Sequence, residues 1–205
     1  MKSLTYLIKG IMAGVMIAIG GIAYLSIPDK VVGSFIFSVG LFTVCIYGLN
    51  LYTGKIGYLV LNKFTYLWEL LVSLVGNFIG ATTVGFLMTY TRFNGLVDNA
   101  INVSTAKLND SSISILILSI FCGILMYIAV NNYKKQHNEI AKYAGIFMCV
   151  MAFILCGFEH CVANMFYFSI AGLWTGRAFL YLIIMVLGNS IGSILIALYE
   201  KYYRI

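Results

Sequence analysis

Long stretches without Asp, Glu, Lys or Arg constrain this chain more than any other feature. They run Gly10–Pro28, Val31–Gly54, Leu70 to just short of Arg92, Ser111–Tyr133, Tyr143–Gly176 (broken only by Glu159) and Ala178–Tyr199. An ion at the centre of a bilayer costs at least about 2.5 kcal/mol, and a helix needs roughly 20 apolar residues to cross the hydrocarbon. The pattern predicts an all-α membrane protein of six spans. Composition agrees: 61% of the residues are apolar and 10% charged, against roughly 25% charged in soluble domains. Six spans consume most of 205 residues, which predicts one transmembrane domain over 1–205 and no separate soluble one.

The net charge of +6 would admit nucleic acid as a partner, but the placement of the charges argues against it. Short cytoplasmic loops are enriched in Lys and Arg. With the N-terminus inside, Lys2, Lys9, Lys55, Lys63, Lys134, Lys135, Lys142, Lys201 and Arg204 fall on the cytoplasmic side. Only Lys30, Arg92, Lys107 and Arg177 fall outside. The expectation is a multi-pass protein with both termini in the cytoplasm. Lys2 and Lys9 precede an apolar run that is too long for a signal-peptide core and has no small-residue cleavage site, so it reads as the first span. Every loop is short except Thr91–Asp110, which is long enough to fold back over or into an outer vestibule. The five cysteines all lie in apolar stretches and read as small buried hydrophobes.

Two stretches are too long. Val31–Asn62 and Tyr143–Gly176 would make helices of roughly 50 Å against a hydrocarbon core of about 30 Å. Each has a small or polar cluster where a break would fall: Gly48-Leu-Asn50-Leu-Tyr-Thr53-Gly54 in one, Gly157-Phe-Glu159-His160-Cys-Val-Ala-Asn164 in the other. Gly48 and Gly157 are 109 positions apart, and Gly76-Asn77-Phe-Ile-Gly80 and Gly188-Asn189-Ser-Ile-Gly192 are 112 apart. The chain therefore reads as two related halves of three spans, about 1–92 and 107–205. Because three is odd, the second half enters from the opposite face, giving an inverted repeat with broken second and fifth helices. Such repeats place solute sites near the midplane.

Within that frame His160 is the most informative residue, because a titratable ring in mid-span needs a role or a partner. The functional reading is a proton or hydrogen-bond donor in a pore; the structural one is a histidine paired with Glu159. Neighbours on a helix point about 100° apart, which favours the first. Glu159 is expected to cap backbone N–H groups freed at the break. Lys107 reads either as a solvated vestibule charge or as an attractor of anions. Thr53 supplies a hydroxyl at the first break, and the amides of Asn77 and Asn189 are placed to bridge to the broken segments. Cys156, His160 and Cys161 do not have a standard zinc spacing. No cofactor, metal or enzymatic activity is expected.

At these residues the chain resembles the formate/nitrite transporter family. Gly157-Phe-Glu-His-Cys-Val-Ala-Asn-Met-Phe166 is similar to the family's GFEHSxANMF signature, Gly48-Leu-Asn-Leu-Tyr-Thr-Gly54 to its GxELFTG segment, and Lys9-Gly-Ile-Met-Ala-Gly14 to its KGxLAG start. Departures are Asn50 where Glu is usual, Tyr52 where Phe is usual, and Met126-Tyr127 where many members have Asn. The resemblance implies an aquaporin-like protomer in a homopentamer of the bacterial inner membrane, passing small monovalent anions: hydrosulfide, formate or nitrite. It implies a pore built from His160, Thr53 and Lys107, with constriction residues Leu51 and Val162; Glu159, Asn164, Asn77 and Asn189 are expected to give structural support. The clostridial hydrosulfide channels look most similar. Rival readings are a proton-coupled formate or nitrite transporter and a facilitator of neutral solutes.

Overall fold

In the computed structural model, which describes residues 2–93 and 95–203, all regular elements among the described residues are helical. Arg204, counted above for orientation, lies outside them. Four helices are long and apolar enough to cross a membrane: α1 (Lys2–Ser26), α5 (Tyr66–Met88), α7 (Ser112–Lys135) and α10 (Gly176–Tyr203). The two overlong stretches are broken. The first gives α2 (Lys30–Phe37), α3 (Val39–Ile46), α4 (Tyr52–Lys55) and a 3-10 segment, Ile56–Leu61; the second gives α8 (Glu139–Leu155) and α9 (Cys161–Ile170). An additional interruption at Ser38, which the sequence reading did not anticipate, separates α2 from α3.

The breaks form where glycine permits them. Gly48 and Gly157 have φ of 57° and 68°, a left-handed conformation that costs side-chain-bearing residues about 1–2 kcal/mol. In each, the next residue's amide reaches back to a carbonyl five positions earlier: Leu49 N to Val44 O and Phe158 N to Phe153 O, both 2.9 Å. These are Schellman closures. A Cβ at either glycine would meet nothing within 4 Å, so backbone conformation, not space, demands glycine there.

Small residues set the helix packing. A Cβ on Gly80 would collide with the Ile11 carbonyl, and one on Gly192 with the Ile120 carbonyl, so α1 lies close against α5 and α7 against α10. Large apolar side chains such as Leu180, Ile183, Leu187 and Met148 remain exposed, as suits a surface that lipid or neighbouring subunits cover.

Two expectations are corrected. Most of Thr91–Asp110 is not a loop: Gly95–Leu108 forms α6, which packs on α9. Its residues are too polar to register as a span, yet Leu96, Ala100 and Ser104 recur at four-residue spacing and are buried. Cysteines do not all behave as buried hydrophobes, because Cys156 is exposed at the end of α8.

Candidate functional site

Two asparagines tie the breaks to the long helices. Asn77 Oδ1 accepts the Tyr52 N–H at 2.8 Å, and its Nδ2 donates to the carbonyls of Gly10 and Asn50, each 2.8 Å. Asn189 Oδ1 accepts the Cys161 N–H at 2.9 Å, and its Nδ2 donates to the carbonyls of Ser119 and Glu159, each 2.8 Å. Tyr52 and Cys161, Asn50 and Glu159, Gly10 and Ser119 are each 109 positions apart. Each amide thus satisfies backbone groups that a broken helix would leave unpaired.

These ties bring the starts of α4 and α9 together, and with them Thr53 and His160. Both are buried. Nδ1 of His160 accepts the Ala163 N–H at 3.1 Å, capping α9, while Nε2 lies 2.8 Å from Thr53 Oγ1. With Nδ1 occupied as an acceptor, the proton of the neutral ring sits on Nε2 and is donated to Thr53. Phe153 stacks on the imidazole, with ring centroids 5.5 Å apart. Leu51 and Val162, adjacent in sequence to the tied amides, are 1% and 0% exposed.

Two hollows flank these helix starts, one beside His160 and Ala163 and the other beside Leu51 and Gly54. One, of about 330 Å³, is lined by residues including Tyr24, Lys107, Asp110, Phe153, Glu159, His160, Asn164 and Tyr167. The other, of about 130 Å³, takes Gly48, Leu51, Gly54, Lys55, Val130, Tyr133 and Lys134. The first draws Leu118 from near the start of α7 and the second draws Lys134 from its end. They therefore face opposite ends of that helix, which is about 36 Å long at 1.5 Å per residue.

Glu159 does not cap the break, contrary to expectation. His160 takes that role, and the Glu159 carboxylate instead receives Lys107 Nζ at 2.9 and 2.8 Å and Asn164 Nδ2 at 2.7 Å. Nor is Lys107 a solvated loop charge: it sits in the last turn of α6 with its side chain 14% exposed, against 3% for Glu159. Two ions taken out of water hold each other through both carboxylate oxygens, the geometry that offsets desolvation best.

Sequence reasoning overlooked several lining residues. Phe153 and Tyr167 look like ordinary core aromatics, yet the Tyr167 hydroxyl is buried without a partner among the described residues, a cost of about 1–3 kcal/mol unless something satisfies it. Lys55 and Lys134 entered only as orientation charges.

The arrangement defines a helical membrane protein in which a buried imidazole, bonded across two helix starts, lines the larger of two hollows. The sequence profile of the formate/nitrite transporter family matches residues 1–203, and the chain belongs to that family of channels and transporters. Among its relatives, the uncharacterized transporter YrhG of Bacillus subtilis (strain 168) is 28% identical over 91% of this chain and 80% of its own length. The formate channel BtFdhC of Bacillus thuringiensis is 28% identical over 80% of this chain and 71% of its own. A solved pentameric formate channel with formate bound shares the fold with a TM-score of 0.81 at 23% identity, covering 98% of this chain and 96% of that one.

Proposed function

We propose that this protein is a homopentameric channel in which each protomer passes small monovalent anions of weak acids. Formate and nitrite are the first candidates, from the family and from the relatives named for formate; hydrosulfide is the physiological candidate that the sequence resemblance favours. On this reading the six apolar stretches are six spans arranged as two inverted three-helix halves, 1–92 and 107–205, in a bacterial inner membrane with both termini in the cytoplasm. The residue-for-residue match of the Asn77 and Asn189 ties supports that duplication.

The observation that supports the proposal is His160, which lines the larger hollow and bonds Thr53 through Nε2 with Nδ1 already engaged. A bare monovalent ion cannot enter so dry a constriction without a penalty of several kcal/mol. A hydrogen bond from Nε2–H, strengthened by the low local dielectric, offsets part of that penalty and suits an oxyanion or hydrosulfide as it sheds water. Weak acids have the further advantage that a proton can remove the charge altogether. Lys107 draws the anion towards the larger hollow, and because Glu159 shares its charge, the anion is attracted without being trapped. Thr53 is the resting acceptor for the His160 proton and gives it up when the anion arrives. Leu51 and Val162 keep the passage dry.

The test is formate and hydrosulfide flux into proteoliposomes across a pH series. His160→Asn should lower flux and change its pH dependence while the protein remains an intact oligomer. Identical profiles for the variant and the parent would remove His160 from the mechanism.

A further inference from the structure

The two breaks correspond in backbone but not in charge. Asn50 follows Gly48 by two positions as Glu159 follows Gly157. Their carbonyls are held alike by Asn77 and Asn189, and their side chains are comparably buried. At Glu159 the neighbouring cation, Lys107, meets a carboxylate. At Asn50 the neighbouring cation is Lys55, whose ammonium donates to Oδ1 of an uncharged amide. The Nδ2 of Asn50 is buried with no partner among the described residues.

Among the described residues Lys55 has no carboxylate at ion-pair distance. The acid whose field reaches it is Glu69 on α5, itself hydrogen-bonded to Tyr6. Lys134 sits 3.9 Å over the ring of Tyr58, while the nearby Glu200 pairs with Lys135. The smaller hollow thus has two ammonium groups and no Asp or Glu in its wall, whereas the larger one sets Asp110 and Glu159 against Lys107. Of the two, the small hollow is the electropositive one, and its low-dielectric walls concentrate that field.

We propose that this hollow is a loading site that holds one small monovalent anion between Lys55 and Lys134, with Asn50, which bonds Lys55, as the neutral neighbour that leaves the Lys55 charge uncompensated. The inference rests on the anion-channel reading and adds that the anion is concentrated at the Lys55 end of the passage. Asn50 sets the strength of the site: a carboxylate in its place would pair with Lys55, as Glu159 pairs with Lys107, and leave the hollow near neutral.

Sodium formate is the probe, with two readouts: the formate-dependent rise in melting temperature of the detergent-purified protein, and the half-saturation of formate flux in proteoliposomes. Asn50→Glu, Lys55→Gln and Lys134→Gln should each weaken formate protection and raise half-saturation several-fold at low ionic strength. Lys134→Gln alters an exposed residue and guards against misfolding of the buried variants. Arg92→Gln, at an exposed residue that lines neither hollow, should change neither readout. The differences should shrink at 1 M salt, where the screening length falls to about 3 Å. If the parent conducts formate and all three variants saturate as the parent does, the loading site is overturned and the channel reading stands. If the parent shows Lys55- and Lys134-dependent formate protection yet no flux, the site stands and the channel reading falls.

Discussion

Nε2 of His160 lies 2.8 Å from the hydroxyl of Thr53, 107 positions earlier in the chain. The bond exists because two glycine-closed helix ends, each tied by an asparagine, set the starts of two short helices against one another. Replacing Thr53 by Val keeps the shape and removes the acceptor, leaving a buried N–H unpaired at a cost of about 1–3 kcal/mol. Thr53→Val should melt several degrees below the parent, and added formate should restore more of the loss than it does for the parent. Thermal unfolding with and without formate checks this.

The Lys107–Glu159 pair predicts a non-additive series. Lys107→Met strands a buried carboxylate and Glu159→Gln strands a buried ammonium, and each should destabilise by about 3–5 kcal/mol. The double variant leaves neither charge unpaired and should be more stable than the Lys107→Met single. Melting temperatures of the four proteins complete the cycle.

Glycine is required at Gly157 and Gly192 for different reasons, and rescue separates them. Gly157→Ala should cost about 1–2 kcal/mol through its positive φ, and Gly157→Asn should cost less, because asparagine tolerates that conformation. Gly192→Ala drives a Cβ into the Ile120 carbonyl and should cost about 1–3 kcal/mol, with Asn there worse than Ala. Chemical denaturation of the four variants decides between strain and collision.

Asn77→Ala and Asn189→Ala each remove three buried hydrogen bonds. Each should destabilise by about 2–4 kcal/mol and slow formate flux, because the helix starts are no longer held. Asp at either position keeps the acceptor but loses the donors, and should recover only part of the stability. Flux measured alongside unfolding separates these effects.

Much of this was legible from sequence because it is local or periodic. Uncharged length located the long helices, and the 109-residue spacing of Gly48 and Gly157 located both breaks. What stayed hidden depends on distant contacts. Glu159 looks like a capping residue until Lys107, 52 positions away, is brought to it by α6, a helix whose polar sequence resembles a loop. Ser38 carries neither proline nor a flanking glycine pair to announce an interruption. Lys55 and Lys134 lie at opposite ends of unrelated segments, and only the folded chain puts them in one wall.

The paired asparagine ties also limit how the passage can be regulated. Unwinding either break would rupture three buried bonds at once and expose carbonyls to a dry interior. In the proposed channel, control would therefore fall to single side chains turning within a stationary frame, and not to large alternating movements of the helices.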